Sequence, residues 1–114
     1  MTAAVSEVAW HAVCDRSQLQ PERGVAVLVE GQQIAIFLLD DGTVRAVDQQ
    51  DPFSHAFVLS RGIVGTKGGR PVVASPMLKQ YFDLETGQCL DDPTVSIACH
   101  PVRIADSTVQ IALA

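Results

Sequence analysis

The apolar residues of this chain come in short runs, and that grouping limits what it can fold into. The longest strictly aliphatic or aromatic stretches are residues 25–29 and 34–39. Clusters of Gly, Pro and Asp interrupt the chain roughly every eight to twelve residues, the spacing of an all-β sandwich or barrel. No stretch keeps a helical period long enough to compete, and none approaches the roughly eighteen apolar residues of a membrane span. Residues 25–30 and 34–39 flank Gly31-Gln32-Gln33 and are rich in β-branched side chains, which predicts a hairpin. Asp40-Asp41-Gly42-Thr43 turns the chain into residues 44–47. Near the far end Val102 and Ile104 alternate with polar or small residues, and residues 105–108 turn the chain into Val109, Ile111 and Leu113. That pattern predicts a closing hairpin with one buried face.

The middle of the chain breaks this rhythm. Residues 48–62 read DQQDPFSHAFVLSRG and have neither period, which predicts a long structured loop. A second loop is predicted from Ser75-Pro76 to Tyr81, after a strand over residues 72–74 and a turn at Lys67-Gly68-Gly69-Arg70. Long loops inside a compact domain are functional or disordered as a rule, and their aromatic content argues against disorder. There is no internal repeat, low-complexity tract or linker.

A chain of 114 residues is one domain, and at this size folding buries roughly two-thirds of the unfolded surface without help from disulfides. The expected domain is residues 1–114, with its core at about 8–114. Three cysteines, Cys14, Cys89 and Cys99, contain no C-x-x-C pair and favour a reducing setting. The first ten residues lack the basic segment and apolar stretch of a secretory signal, so a cytoplasmic protein is expected. A net charge of −5 argues against binding to nucleic acid or an anionic membrane. The net value conceals an asymmetry. Between Pro52 and Phe82 there is no acidic residue, while Arg61, Lys67, Arg70 and Lys79 all fall there; the rest of the chain, with four basic and thirteen acidic residues, carries −9. Two adjacent loops in that segment would make a basic, aromatic docking face.

The loops resemble those of the Rieske family, in which C-x-H and C-x-x-H motifs hold a 2Fe-2S cluster through two thiolates and two imidazoles. The first loop here reads Asp51-Pro52-Phe53-Ser54-His55, followed by Leu59-Ser60-Arg61-Gly62 in place of an L-S-x-G stretch. The second reads Ser75-Pro76-Met77-Leu78, continuing to Tyr81-Phe82-Asp83-Leu84-Glu85-Thr86-Gly87 where the family has F-D-x-x-T-G. Scaffold residues match and ligands do not: Asp51 and Ser75 stand at the cysteine positions, Phe53 and Leu78 at the histidine positions. Neither hydrocarbon side chain can coordinate iron, and the oxygens of Asp51 and Ser75 are poor substitutes for thiolate. The resemblance implies an all-β, Rieske-like antiparallel β sandwich or barrel with two long loops and no metal or catalytic residue on this chain.

More narrowly, residues 48–54, 58–65, 71–76 and 89–93 resemble the small-subunit family of assimilatory NADH-dependent nitrite reductase, and the likeness spans nearly the whole chain from Trp10. It implies a non-catalytic small subunit of an oxidoreductase that reduces nitrite to ammonia. Its partner is then a large subunit carrying siroheme, an iron–sulfur cluster and FAD and using NADH. His55, Arg61, Lys79 and Tyr81 are the partner-binding candidates. Two other readings compete: an electron carrier of the Rieske ferredoxin type, which the missing ligands oppose, and a free-standing β interaction module. At the loops, Phe53 and Leu78 are expected to pack together where a cluster would sit. Asp51 and Ser75 are expected to cap backbone amides, as Asp and Ser do in turns. A catalytic pairing of Asp51 with His55, or of Ser75 with Lys79, lacks a coherent set of base and oxyanion donors.

Overall fold

A computed structural model describes residues 9–77 and 79–113. Among the described residues ten strands follow one another: β1 (His11–Asp15), β2 (Gly24–Val29), β3 (Gln32–Leu38), β4 (Val44–Asp48), β5 (Ile63–Lys67), β6 (Arg70–Ala74), β7 (Tyr81–Asp83), β8 (Cys99–His100), β9 (Val102–Ala105) and β10 (Thr108–Ile111). They form three sheets, ordered β1-β10-β9, β2-β3-β4-β8 and β5-β6-β7, and neighbouring strands are antiparallel throughout.

The uninterrupted apolar run of β3 has a simple cause, because Ile34, Ala35, Ile36, Phe37 and Leu38 are all buried. Successive strand side chains point to opposite faces, so Ala35 and Phe37 join a core with Val47, Leu59, Val73 and Phe82 on the side of β5-β6-β7. Ile34, Ile36 and Leu38 join a second core with Val29, Val44, Val109 and Ile111 on the side of β1-β10-β9. The four-stranded sheet is thus the middle layer, and each fully buried aliphatic or aromatic side chain contributes about 1.5–3 kcal/mol relative to exposure.

The predicted hairpins are present. Val29 pairs with Gln32, so the first turn is Glu30-Gly31, both at positive φ, and residues 32 and 33 belong to β3 rather than to the turn. Two central residues at positive φ match the right-handed twist of the strands they join. The closing hairpin turns at Asp106 and Ser107, also at positive φ. It buries Val109 and Ile111 and leaves Ile104 exposed. Trp10 is half-buried before β1 and acts as an edge anchor, with the Arg103 guanidinium stacked 4.4 Å from its ring centroid.

Both long loops leave one end of the outer sheet, since Ile63, Ala74 and Tyr81 lie opposite one another in a single row across β5, β6 and β7. The first loop runs from β4 to β5 and ends in a 3₁₀ turn at Leu59–Arg61. Leu59 is buried in the core there. Buried Gln49 ties that turn to the start of the loop: its Oε1 accepts from the Ser60 amide at 2.7 Å, and its Nε2 donates to Ser60 Oγ at 2.9 Å and to the Phe57 carbonyl at 3.3 Å. Gly62 follows, and a Cβ there would stand 2.4 Å from the Ala74 carbonyl oxygen. The glycine of the Leu59-Ser60-Arg61-Gly62 stretch is therefore what lets the first loop lie against the strand that leads into the second.

Asp83 closes β7 in the same economical way. Its carboxylate accepts from Arg70 and from the amides of Glu85 at 2.7 Å and Thr86 at 3.1 Å. Burial alone pushes this carboxyl up, but Arg70 and the two amides outweigh it and hold it below the ordinary range. A carboxylate depressed in the folded state stabilises fully above its unfolded pKa, near 4, and loses that contribution as pH falls through the folded value. Denaturant midpoints measured from pH 7 down to pH 2 are expected to fall below about pH 4 in the wild type, with a shallower fall in Asp83→Asn.

Candidate functional site

The two loops are built to one plan. In the first, the Asp51 amide donates to the Ala56 carbonyl and the His55 amide donates to the Asp51 carbonyl, both at 2.8 Å. In the second, the Ser75 amide donates to Gln80 and the Lys79 amide to Ser75, both at 2.9 Å. His55 and Lys79 take the same left-handed conformation, with φ of 67° and 62°. Asp51 and Ser75 are therefore equivalent positions of two like turns. They are also joined: the Ser75 hydroxyl donates to Asp51 Oδ2, and both residues are buried.

The rest of the Asp51 carboxyl is occupied within its own loop, where Oδ1 accepts from the amides of Phe53 at 2.8 Å and Ser54 at 3.3 Å. Ser75 Oγ also accepts from the Met77 amide at 3.3 Å. Both residues cap their loops as the sequence predicts. Their direct bond to each other was not anticipated, although the signal existed: they occupy matching positions of two related motifs. Phe53 turns inward against the core, its ring centroid 6.3 Å from that of Phe82. Leu78, the expected partner of Phe53, lies outside the described residues.

The candidate residues separate in space. Arg61, Lys79 and Tyr81 line one groove of about 490 Å³ beside the second loop, together with Ile63, Gly65 and Lys67. Lys67 Nζ sits 4.1 Å from the Tyr81 ring centroid. His55 does not line that groove; it is exposed on the first loop, its carbonyl accepting from Gln50 Nε2 at 3.1 Å. The Asp51 carboxyl faces Ser75 and the loop amides, so no acid–base pair with His55 is assembled. Arg70, the fourth cation of the acid-free stretch, points elsewhere. It pairs with Asp83 and, at 3.1 Å, with Glu85, which also meets Arg45 at 3.1 Å. The basic face thus carries three cations, and Asp91 reaches its border to accept from the Tyr81 amide at 2.8 Å.

Ile63 and Gly65 were not among the expected docking residues. Taking the residues before the Lys67–Arg70 turn as a strand would have found them, because positions 63, 65 and 67 then share a face. The three cysteines lie away from both loops, on β1, at residue 89 and on β8. Burial, more than the nearby Asp83, pushes the Cys99 thiol up, which keeps it protonated and unreactive.

Residues 9–112 match the family of Rieske-like [2Fe-2S] domains. The nitrite reductase (NADH) small subunit of Salmonella typhimurium is 38% identical over 103 residues, covering 90% of this chain and 95% of that one. The chain belongs to the nitrite reductase (NADH) small-subunit family. A crystal structure assigned as the NADH-dependent nitrite reductase small subunit of Mycobacterium tuberculosis superposes with a TM-score of 0.92 at 50% identity, covering 96% of this chain and 98% of that one. The nitrite reductase [NAD(P)H] large subunit of Klebsiella oxytoca is 35% identical over 102 residues, which cover 90% of this chain and 11% of that one. In that relative the small-subunit fold is one stretch of a longer polypeptide.

This member of the small-subunit family keeps the Rieske scaffold without a donor set that fits the cluster its fold class is named for. A 2Fe-2S centre of that kind needs two thiolates and two imidazoles. Phe53 has no ligating atom, nor does leucine at position 78. Asp51 and Ser75 direct their oxygens at each other and at backbone amides. The Asp51–Ser75 hydrogen bond joins the two loops directly. Among the described residues no group of three or more His, Cys, Asp or Glu is placed to hold a metal ion. Nor is any helix among them long and apolar enough to cross a membrane.

Proposed function

We propose that this small subunit is non-catalytic and serves a cytoplasmic NADH-dependent nitrite reductase of nitrate assimilation, docked on a large subunit that carries siroheme, an iron–sulfur cluster and FAD. The observation that carries this reading is the Asp51–Ser75 hydrogen bond between the two loops. Loops that would otherwise grip a redox centre are held together by protein alone, which leaves their outer face free for recognition. Arg61, Lys79 and Tyr81 share the groove on that face, and His55 marks the first loop beside it as a further candidate contact. Arginine and aromatic side chains are the types enriched at interfaces. The Klebsiella relative supports the same reading, because there the domain and a nitrite reductase share one chain.

The test is to produce the large subunit with and without this chain and to measure NADH-dependent reduction of nitrite to ammonia. Co-purification, with turnover higher or longer-lived in the pair, is the expected result. Equal turnover with no co-purification overturns the proposal. So does a reddish-brown isolated chain containing stoichiometric iron and acid-labile sulfide, since that would make it an electron carrier.

A further inference from the structure

The groove beside the second loop has a shape and a charge that together specify an occupant. Strand β5 is the outer strand of its sheet. Ile63 lies opposite Ala74 and Gly65 opposite Val72, while Ala74 faces Tyr81 across the next pair. The solvent side of the sheet therefore dips at Gly65, between Ile63 and Lys67 along β5, and the Lys67 side chain reaches back to the Tyr81 ring in the row of Ile63. The dip exists because position 65 has no side chain: no heavy atom lies within 4 Å of where its Cβ would stand. Glycine inside a strand weakens it and commonly marks the close approach of another chain.

Around this dip stand Arg61, Lys67 and Lys79, and no carboxylate is among the described residues that line it. Among the described residues no ion pair within 4 Å neutralises these three, whereas Arg45 and Arg70 are paired with Glu85 and Asp83. The surrounding surface is apolar to a degree that solvent does not favour. Ile63 is 76% exposed, and Met77 on the second loop and Leu90 are each about half exposed. Leu90 adjoins the groove through its amide, which donates to the Tyr81 carbonyl at 2.8 Å. Clustered apolar exposure of this kind marks an interaction surface.

We propose that the groove receives an acidic segment of the large subunit, one apolar side chain of which enters the dip over Gly65 while its carboxylates meet Arg61, Lys67 and Lys79. The proposal rests on the reading of this chain as a docked subunit, and it names the place and the chemistry of the contact. Complementary charge accounts for the choice of an acidic partner. A contact of this size also suits a partner that is permanently near, as in the Klebsiella chain that contains both parts, where tethering raises effective concentration.

The experiment measures binding of the isolated large subunit to the full small subunit and three variants. Gly65→Val places a branched side chain in the dip, at a position where a Cβ has no heavy atom within 4 Å. Lys79→Gly removes a cation at a backbone conformation that glycine takes readily. Arg16→Glu changes charge at the β1–β2 connection, away from the groove. Thermal midpoints no lower than that of the wild type are expected for the first two. Both are expected to weaken binding at least about tenfold and Arg16→Glu no more than about twofold, with wild-type binding falling about tenfold from 50 to 500 mM NaCl. Zero-length carbodiimide coupling of the complex is expected to join Lys67 or Lys79 to an aspartate or glutamate of the large subunit. Unchanged binding by both groove variants, or coupling that maps to other faces alone, overturns the groove proposal while leaving the subunit reading in place. Failure of the wild-type chain to bind the large subunit overturns both.

Discussion

Replacing Asp51 with alanine is expected to destabilise the domain by about 3 kcal/mol, enough to lower its thermal midpoint by roughly 10–20 °C. The substitution removes the acceptor for three donors at once: the Ser75 hydroxyl and the amides of Phe53 and Ser54. Ser75 is buried, so its hydroxyl cannot turn to water, and an unmade buried hydrogen bond costs about 1–3 kcal/mol. The loss also unties the two loops from each other. Asp51→Asn retains an oxygen for the amides, and its side-chain NH₂ can donate to the Ser75 hydroxyl, so it is expected to recover most of the stability. Ser75→Ala alone should cost about 1–2 kcal/mol, and the Asp51→Ala/Ser75→Ala pair should cost less than the sum of the singles by about 1 kcal/mol. Denaturant midpoints of the four proteins decide the matter. An Asp51→Ala midpoint equal to that of the wild type would show that the loops are held by packing of Phe53 and not by this bond.

An effect of similar or larger size is expected from Gly87→Ala, about 3–4 kcal/mol from two causes that act together. Gly87 has φ of 81°, where an L-residue is strained by about 1–2 kcal/mol. Its added Cβ would also stand 2.0 Å from the Ile97 carbonyl oxygen and 3.3 Å from Cys99 Sγ. Neither side can retreat cheaply, because the Gly87 amide donates to the Asp83 carbonyl at 2.7 Å and the Ile97 amide donates to the Gly87 carbonyl at 2.8 Å. The variant must therefore either break that crossing or displace the chain segment leading to β8. Measured by chemical unfolding, a loss under about 1 kcal/mol would mean that the segment around Ile97 yields easily. A tenfold drop in soluble yield would agree with the larger figure, since a domain this size has only about 5–15 kcal/mol of stability in all.

The two glycines of the family-like stretches illustrate what such motifs record. Gly62 and Gly87 have no chemistry to offer a cluster; each stands where another backbone passes too close for a side chain. Asp83 likewise caps a turn and holds Arg70. These residues serve the fold itself and need no ligand to do so. That is why the chain is legible as Rieske-like from its scaffold while positions 51, 53 and 75 carry side chains of other kinds.

Much of the architecture was readable from local physics. Short apolar runs with turn residues between them specify antiparallel strands, and Gly68-Gly69 reverses the chain at positive φ inside the predicted turn, whereas the first hairpin turns at Glu30-Gly31 rather than at Gly31-Gln32-Gln33. The continuous run of β3 was harder to place, since periodicity alone does not distinguish a strand buried on both faces from other buried segments. The charge asymmetry was also visible, but as a property of sequence position rather than of surface.

What the sequence determined by itself was the all-β class, the two irregular loops, their likeness to the Rieske and nitrite reductase small-subunit families, and the non-ligating character of Asp51, Phe53, Ser75 and Leu78. These follow from residue types and short-range spacing. Tertiary structure alone decided which residues meet across the fold. Asp51 bonds to Ser75, 24 positions away; Arg70 leaves the basic face for Asp83 and Glu85; and Gly65 opens a hollow between cations that the linear order keeps apart. The physical reason is that side-chain direction and cross-strand register, fixed only when three sheets pack around two cores, decide whether a charge is paired and whether a polar group finds a partner.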